Sequence, residues 1–425
     1  MTRSATHKLH AYLWLVSLLL MGAWGARRPE LVILAAPFAV LLLAGLAQLE
    51  APAKIEMSLD LPRERALEGE ELLIRVSVLA DRQVRRLEVG LSLPGMAAFS
   101  QPVVHADDLR KGEVRHIEMR VILKQWGVLT SAGARIQALS PLGLFCDRGT
   151  VKWRFTLRVY PRAETLRAMV VPRETQPSAG NVVGRGGGSG IEFSEVRPFR
   201  AGDEQRHINW RVTARRNELW VNDRRPERNA DMILFLDTFM NMGLPEATAF
   251  DVAVRSAASL AHRYLRERDK VGVIGFGGTL SWLRPGTGER QLYQISEALI
   301  ATQVSFSYAW KDVSFIPHGT LPPQSTVVAL SPLVDERYVQ ALFDLLRRRF
   351  DVCVLEIEPE SFLPAIKNEG ERLARRIWRM EREALLDRYH QLGASVVSLD
   401  GRRSLDSAIL ETLAFRRQAR VVIGR

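Results

Sequence analysis

The chain has few of the residues that build metal and redox centres, with only two cysteines and eight histidines among its 425 residues. Cys146 and Cys353 lie far apart in apolar surroundings, so they form neither a disulfide framework nor a metal-ligand spacing. The histidines are scattered, and the sequence contains no H-E-x-x-H or G-x-S-x-G motif and no paired Cys/His spacing. The low cysteine content fits a reducing compartment, and these residue types form no catalytic constellation.

Acidic residues are also scarce relative to basic ones. The chain has 48 Asp and Glu against 59 Lys and Arg, which gives a formal charge of +11 and a pI near 10.0. Such an excess is compatible with nucleic acid, an anionic membrane surface or an acidic protein as partner. Hydrophobic residues make up 47% of the sequence, enough for real cores, and the length predicts two or three domains.

Long apolar runs are abundant at the N-terminus. Residues 11–26 and 31–49 are uncharged, and at ~1.5 Å per residue the second run spans ~28 Å, close to a bilayer core of ~30 Å. A cleaved signal peptide would explain one run but not two, so residues 1–50 are predicted to form a transmembrane helical hairpin, with a buried soluble helix pair as the alternative. Lys and Arg near its ends outnumber Arg27 and Arg28 in the turn. This predicts that both termini and the soluble domains lie in the cytoplasm, with the hairpin in the inner (cytoplasmic) membrane.

Two segments of different character follow the hairpin. In residues 51–161, short stretches such as "ELLIRVSVLA" alternate apolar with polar residues, which predicts a β-sandwich-like domain. Residues 162–190 are rich in Gly, Ser and Pro and are predicted to be a flexible linker. The run "GRGGGSG" inside it lacks the Lys-Ser/Thr ending of a phosphate-binding loop.

Residues 191–230 contain nine arginines and seven acids, so the local charge nearly cancels. That composition predicts an internal ion-pair lattice and argues against a nucleic-acid patch. Asp203 is predicted to cap a helix that carries Arg206 and Trp210 on one face. The favoured interpretation places Trp210 in the core and pairs Arg206 with Asp203 or Glu195, and direct ligand binding is the alternative.

From residue 231 to 425, short β runs alternate with helical stretches, which predicts a parallel sheet covered on both faces. The predicted helices are 247–268, 290–302, 336–349 and 364–392. The stretch "GTLSWLRPG" predicts a hairpin edge strand, and "MILFLD" predicts a first strand that ends at Asp237. The arginines of the last helix indicate a solvated face, with a docking surface for an acidic partner as the alternative.

The stretch "FSEVRPFRAGDEQRHINWRVTARR" resembles the signature block of the domain-of-unknown-function 58 family, R-x-Y-x-x-G-D, then R-x-I-x-W, then A-R. The matching residues are Arg197, Phe199 (for Tyr), Gly202, Asp203, Arg206, Ile208, Trp210, Ala214 and Arg215. Upstream, "SPLGLF" is similar to the family's D-P-x-G-L-F element, with Ser140 in place of the acid. The resemblance implies a membrane anchor, a β-rich segment and a von Willebrand factor A-like (Rossmann-type) doubly wound α/β domain. It also implies a MoxR-type AAA ATPase encoded nearby, and it supplies no catalytic residues.

A von Willebrand factor A-like domain often holds Mg²⁺ through D-x-S-x-S at the end of its first strand, where a carboxylate and two hydroxyls supply oxygens. Asp237, Phe239 and Asn241 occupy those positions. Phe239 has no ligating oxygen, so the expectation is a degenerate metal-ion-dependent adhesion site in which Asp237 and Asn241 bind Mg²⁺ weakly. Further oxygens are expected only from loop residues, namely Thr320, Asp335 or Asp312.

The sequence therefore predicts a membrane-anchored, non-enzymatic protein that docks a partner, expected to be a MoxR-type AAA ATPase. The docking region is predicted to be the strand-end face around Asp237 together with the signature block. The interaction residues expected there are Arg197, Gly202, Asp203, Arg206, Trp210 and Arg215. Two alternatives stay open: a metal-dependent hydrolase that uses Asp237, and Arg-mediated binding of nucleic acid or anionic lipid, for which nucleic acid is disfavoured by the balanced local charge.

Overall fold

The computed structural model divides the chain into two compact units, residues 1–161 and 162–425. It describes residues 1–47, 52–92, 95, 97–99, 103–170, 192–200, 203, 205–225, 231–244, 247–305, 312–317, 319–323, 325–399 and 404–423. The division falls where the predicted β-rich domain ends.

The N-terminal unit consists of two helices and ten strands in its described part. Its elements are β1 (Thr2–Ala5), α1 (His7–Ala26), α2 (Glu30–Ala47), β2 (Ile55–Asp60), β3 (Arg65–Leu67), β4 (Glu71–Ala80), β5 (Val84–Ser92), β6 (Ala97–Phe99), β7 (Val103–Leu109), β8 (Val114–Leu123), β9 (Gly127–Leu139) and β10 (Phe145–Tyr160).

Helices α1 and α2 are both long and apolar enough to cross a membrane, judged by length and composition alone. They contact each other, and their side chains are largely uncovered, with Trp14 76% and Trp24 89% exposed. Arg27 adopts a left-handed conformation (φ 51°) after α1 and starts the turn into α2. The predicted pair of apolar N-terminal helices is thus present.

Both ends of the helix pair return to the same β structure. Strand β1, which the sequence patterns did not predict, pairs antiparallel with β10 just before α1 begins. The Arg3 guanidinium donates two hydrogen bonds to the Asp147 carboxylate (Nε to Oδ1 2.8 Å, Nη2 to Oδ2 2.9 Å). After α2, the backbone N–H of Ala53 donates to the same carboxylate (3.0 Å). The two ends of the hairpin are therefore fixed on one side of it, as a hairpin requires.

The strands of the N-terminal unit form two sheets. One has the order β1-β10-β9-β5-β7 with β3 beside β10, and the other has the order β2-β4-β8-β6. Apart from the parallel pair β3–β10, the pairings are antiparallel. Val76 and Met119 from one sheet share a buried cluster with Val89 and Ile136 from the other. The alternating sequence pattern arises because each strand turns one face to this shared core.

The C-terminal unit mixes helices and strands. Its described elements are β11 (Glu192–Pro198), α3 (Trp210–Arg216), β12 (Trp220–Arg225), β13 (Asp231–Thr238), β14 (Gly243–Leu244), β15 (Ala247–Thr248), α4 (Ala249–Arg266), β16 (Lys270–Gly277), β17 (Ser281–Gly286), α5 (Gly288–Ala301), β18 (Thr326–Ser331), α6 (Glu336–Arg347), β19 (Asp351–Ile357), α7 (Glu369–Gln391), β20 (Ser395–Leu399) and α8 (Leu405–Ile423).

The main sheet of this unit has the order β17-β16-β13-β18-β19-β20. Its pairings are parallel except at β17, which pairs antiparallel with β16 as the predicted edge hairpin. The chain enters at β13, builds outward to β17, and then crosses over to β18 on the other side of β13. The carboxyl ends of β13 and β18 therefore flank the point where the strand order reverses, the usual ligand position in open α/β sheets.

Helices cover both faces of this sheet. Ile233 and Phe235 of β13 belong to one buried cluster with Tyr338 of α6 and Tyr389 of α7. The intervening Leu234 is also 0% exposed, and α4 contacts β13, β16 and β18. Because successive side chains of a strand point to opposite faces, burial of consecutive residues requires cover on both sides.

Three sequence expectations need correction here. Residues 162–170, predicted as flexible linker, pack against the α/β unit: the N–H of Val170 donates to the Tyr264 hydroxyl (2.8 Å), which donates back to the Val170 carbonyl (2.9 Å). The rest of that predicted linker, 171–190, lies outside the described residues. Helix α3 begins at Trp210, after Asn209 rather than Asp203. Helix α8 was not predicted, and its Arg416 donates two bonds to the Asp351 carboxylate (both 3.1 Å).

Candidate functional site

Asp237 lies at the carboxyl end of β13, as predicted, but its side chain is only 3% exposed. The hydroxyl of Ser331, at the end of the neighbouring strand β18, donates to Asp237 Oδ2 (2.6 Å). The backbone N–H of Phe239 donates to Oδ1 (3.1 Å). The Ser331 hydroxyl in turn accepts from the Leu333 N–H (2.7 Å). Both carboxylate oxygens thus make internal hydrogen bonds, and the bond from Ser331 crosses the point where the strand order reverses.

Burial controls the protonation of Asp237. It raises the pKa of this carboxyl to about 7, against the opposing effect of the hydrogen bonds from Ser331 and Phe239. The nearby Asp335 carboxylate raises the pKa of Asp237 further, and the Arg337 guanidinium lowers it. A carboxyl with this pKa exists in both protonation states near neutral pH, so Asp237 is only partly ionised there.

Asp335 and Arg337 form an ion pair beside Asp237. Asp335 caps α6, and its carboxylate accepts from the Arg337 backbone N–H (2.9 Å) and from Nη2 (2.8 Å). Burial opposes ionisation of Asp335, but the Arg337 guanidinium outweighs it, and the pKa of Asp335 lies below its ordinary value. The same guanidinium lies 4.1 Å from the centre of the Phe239 ring. Phe239, which interrupts the metal motif, therefore packs against the arginine that forms the ion pair with Asp335.

The predicted Mg²⁺ ligands Asp237 and Asn241 both make hydrogen bonds within the protein. The side-chain oxygen of Asn241 accepts from the Phe250 N–H at the start of α4 (3.3 Å). Thr238 and Thr320 are buried, and within the described residues their hydroxyls have no hydrogen-bond partner. The described part of the chain holds no group of three or more His, Cys, Asp or Glu side chains arranged for a metal ion. Weak Mg²⁺ binding at Asp237 and Asn241 stays a prediction.

Ser331 and Arg337 are the residues that sequence reasoning missed at this site. Ser331 is the last residue of the strand "TVVALS" and Arg337 lies in α6 after it, so the strand-end rule that selected Asp237 also applies to Ser331. The rule was applied only to the first strand. Applied to β18 as well, it would have paired Ser331 with Asp237 from the strand order alone.

The signature block forms a hairpin of β11 and β12 with α3 between them. Arg197 of β11 donates from Nη1 and Nη2 to the Asp203 carboxylate (2.8 and 2.9 Å), which also accepts from the Arg200 N–H (2.7 Å). Those bonds lower the pKa of Asp203 to about 2. One ion pair of this block is thus described, and in it the partner of Asp203 is Arg197, whereas the sequence favoured Arg206. Gly202 lies outside the described residues.

Trp210 is the main departure from expectation in this block. It was predicted to be core, yet it is 67% exposed at the first position of α3. The helix starts at Trp210 because the Asn209 side chain accepts from the Val212 N–H (3.2 Å). Arg215, in the last turn of α3, is exposed as well. The block therefore presents an aromatic and basic outer face, which we call the α3 face: Trp210, Arg211, Ala214 and Arg215.

Residues 195–365 match the family model described as protein of unknown function DUF58. This region belongs to the DUF58 family. The match begins in β11 and includes the α3 face, Asp237 and Ser331. It ends before α7, so that helix lies beyond the DUF58 region.

A curated relative and several solved structures are similar to parts of the chain. The uncharacterized protein YeaD of Bacillus subtilis (strain 168), also of the DUF58 family, is 26% identical over 149 residues, which is 34% of this chain and 34% of YeaD. The match thus spans about a third of that relative. Native Escherichia coli alpha-2-macroglobulin, from domain MG7 to the C-terminus, gives a TM-score of 0.22 at 19% identity and covers 30% of this chain and 22% of that one. The CARDB domain of a Pyrococcus furiosus protein gives 0.19 at 12% identity, covering 25% and 94%. At these TM-scores the structural likenesses carry no inference.

Proposed function

We propose that the chain is a membrane-anchored, non-enzymatic interaction protein that docks a protein partner on the α3 face. The observation that carries this proposal is the 67% exposure of Trp210 inside the DUF58 region. Tryptophan and arginine are the side chains most enriched among residues that dominate binding energy at protein interfaces. A large indole left in solvent gains most when a partner covers it.

The charge of the α3 face indicates the chemistry of the partner. Arg211 and Arg215 are exposed next to Trp210, and no ion pair involves either of them among the described residues. By contrast, Arg216 lies over the Trp220 ring (4.4 Å to its centre), so its guanidinium is engaged within the hairpin. Two unengaged guanidinium groups beside an indole suit a protein surface that offers carboxylates around an apolar pocket.

The partner class we propose is a MoxR-type AAA ATPase, on the basis of the family resemblance. The unit from 231 to 425 is proposed to be a von Willebrand factor A-like domain, which its reversed strand order and antiparallel edge strand support. Helices α1 and α2 are proposed to anchor it in the inner membrane, with both units in the cytoplasm. The position of both hairpin ends on one side supports a shared compartment.

Asp237 takes a different role in this proposal from the one its position predicted. Its side chain is 3% exposed and both oxygens accept internal hydrogen bonds, which supports a structural clamp between β13 and β18. A hydrolase would need this carboxylate free to reach substrate or metal, and no observation favours that alternative. The docking region is therefore narrowed from the strand-end face to the α3 face.

The test compares two exposed tryptophans of the same unit. Trp210→Ala removes the centre of the α3 face, and Trp282→Ala, at a residue of β17 that is 48% exposed, is the matched control. Each tagged full-length chain is purified from detergent extracts, and co-purifying proteins are quantified by mass spectrometry. We expect Trp210→Ala to lower recovery of the ATPase at least about tenfold, as loss of a dominant interface residue does, and Trp282→Ala to leave it unchanged.

Two results would count against this proposal. If no ATPase or other protein co-purifies with the wild-type chain above background, the docking function is wrong. If both tryptophan variants lose the partner equally, the α3 face is not the docking site. Equal far-UV circular dichroism of the three proteins shows that the comparison concerns binding and not folding.

A further inference from the structure

Helix α7 has two distinct faces, and its inner face is fixed to the α/β unit. Leu385, Leu386 and Tyr389 pack against the core cluster of the sheet. Three arginines reinforce this attachment along the helix. Arg375 donates to the Pro364 carbonyl (2.7 Å), Arg379 pairs with Glu360, and Arg382 pairs with Glu356 and donates to the Pro332 carbonyl (2.6 Å). The orientation of α7 about its own axis is therefore set.

The opposite face of α7 is apolar and uncovered. Leu373 is 59% exposed, Ile377 51% and Met380 62%, and Ala384 is exposed in line with them. At about 100° per residue, these four side chains fall within one narrow stripe on the far side from Tyr389. We call this stripe the α7 seam. A surface helix normally turns charged residues to solvent, so an apolar stripe that the described residues leave exposed indicates a contact surface.

The spacing of the seam is that of a two-stranded coiled coil. Steps of four, three and four residues repeat every seven, which makes Leu373 and Met380 d positions and Ile377 and Ala384 a positions. Leu at d with β-branched Ile at a favours parallel dimers. The seam from Leu373 to Ala384 is ~17 Å long, about two heptads, so the expected association is weak and reversible.

The charges beside the seam are complementary to those of a second copy. In a parallel pair, each g residue faces the e residue five positions later on the other helix. Here that places Arg376 opposite Glu381, and Glu383 opposite Arg388. All four side chains are exposed, and within the described residues neither Arg376 nor Glu381 takes part in an ion pair. The Arg388 guanidinium lies 4.7 Å from the centre of the Phe343 ring of its own chain, so Arg376 and Glu381 form the main cross-pair. Both cross-pairs join opposite charges, and twofold symmetry makes each of them twice.

We propose that the α7 seam pairs two copies of this chain as a short parallel coiled coil. The inner face of α7 packs on the core of its own α/β unit, and the seam faces away from that packing. The seam lies beyond the DUF58 region and on a different helix from the α3 face, and the pairing does not depend on the proposed docking function. An acidic partner protein or an anionic lipid surface would use the same arginines, but neither explains the alternation of acid and base at e and g.

Cysteine cross-linking of the full chain in detergent micelles tests the pairing and its direction. In a parallel pair every a and d residue faces its own copy, so Leu373→Cys and Met380→Cys should both form disulfide dimers on mild oxidation. Arg372→Cys, on the same helix at an outward c position, is the matched control. The native Cys146 and Cys353 are buried, so the wild-type chain gives the background. We expect at least about tenfold more dimer at both seam positions than in the control.

An antiparallel pair would cross-link with itself at only one place along the seam. Efficient disulfide formation at Leu373 or Met380 but not both would therefore overturn the parallel arrangement. No dimer above the Arg372→Cys level at either position would overturn the pairing altogether. The three substituted side chains are exposed, so the fold is expected to tolerate each change.

A charge-swap experiment tests the flanking residues. Arg376→Glu places two acids opposite each other and should weaken dimerisation about tenfold by sedimentation equilibrium, and Arg376→Glu/Glu381→Arg should restore it. Failure of the double variant to recover the dimer contradicts the pairing of Arg376 with Glu381. A chain that stays monomeric, with Ile377→Asp instead reducing binding to anionic phospholipid vesicles or to an acidic protein, assigns the seam to that partner and overturns the proposal.

Discussion

Asp237→Asn is the substitution that isolates the free-energy cost of ionising the buried carboxyl at the end of β13. The amide has nearly the same shape as the carboxyl, and its oxygen can accept from the Ser331 hydroxyl or the Phe239 N–H, the two donors in the native structure. What the change removes is the ability to ionise. The comparison therefore reports the free energy of charging Asp237 in its buried position, with packing held nearly constant.

The magnitude follows from the pKa of about 7, against an ordinary value of 3.8 for Asp. Between these two pH values the folded chain keeps a proton that the unfolded chain releases, so the free energy of unfolding falls as pH rises through this window. The slope is at most about 1.4 kcal/mol per pH unit, and over about three units the total is at most about 4 kcal/mol. Relative to Asp237→Asn, the wild type is favoured at pH 4 and loses that advantage as pH approaches 7.

Two measurements check this reasoning on the full chain in detergent. Infrared difference spectra between wild type and Asp237→Asn should show a protonated carboxyl band at pH 5 that titrates away near pH 7. Hydrogen exchange of the β13 and β18 amides, corrected for the intrinsic pH dependence, should show the sheet of the wild type opening more readily at pH 8 than at pH 5, relative to the variant. Ser331→Ala, which removes a donor that lowers the pKa, should move the titration upward. A carboxyl that is already ionised at pH 5, or a stability difference that stays constant from pH 5 to 8, would refute the account.

Three further predictions concern the packing within each of the two units. Asp147→Asn removes the bidentate partner of Arg3 and should destabilise the anchoring of β1 by at most about 3 kcal/mol, read as faster proteolysis of the N-terminus. The native ion pair lowers the pKa of Asp147 even though burial opposes it, so its contribution should fade as pH falls. Arg416→Met removes the guanidinium that pairs with the partly buried Asp351 and should cost about 3 kcal/mol, measured as lost amide protection in β19. Gly277→Ala places a methyl group against the facing strand β13 and should cost about 1–3 kcal/mol in a thermal melt, whereas Gly25→Ala, with open space around it, should not.

The sequence predicted most of the helices and strands of the α/β unit because the hydrophobic periodicity and the capping and turn residues indicated the same element boundaries there. The helices predicted at 247–268, 290–302 and 336–349 lie within two residues of α4, α5 and α6 at each end. Strong signals coincide at such elements: Thr248 and Asp251 form a reciprocal capping box at the start of α4, and continuous apolar runs mark β13 and β18. Local chemistry of this kind is visible in a single sequence.

The errors arose where long-range contacts decide the conformation. Asp203 is a residue type that often caps helices, but its carboxylate accepts hydrogen bonds from Arg197, six residues earlier. The helix begins only after Asn209, whose side chain caps it. Residues 162–170 read as linker because their partners, such as Tyr264, are nearly 100 residues away. Trp210 was assigned to the core as part of a helix predicted to begin after Asp203, but the helix begins at Trp210 itself, which changes the face that this side chain occupies.

The buried strand-end carboxylate and the exposed tryptophan both support the proposed docking function. Where an open α/β sheet commonly holds a ligand, between β13 and β18, Asp237 and Ser331 bond to each other and leave 3% and 0% of their surfaces exposed. A protein that bound its ligand at this point would have to break that pair first. The residue types that dominate binding lie instead on the outside, at Trp210 and along the α7 seam, where exposure ranges from 51% to 67%. A buried clamp with exposed apolar surfaces is the arrangement expected when the sheet serves as a rigid support for contacts with other proteins.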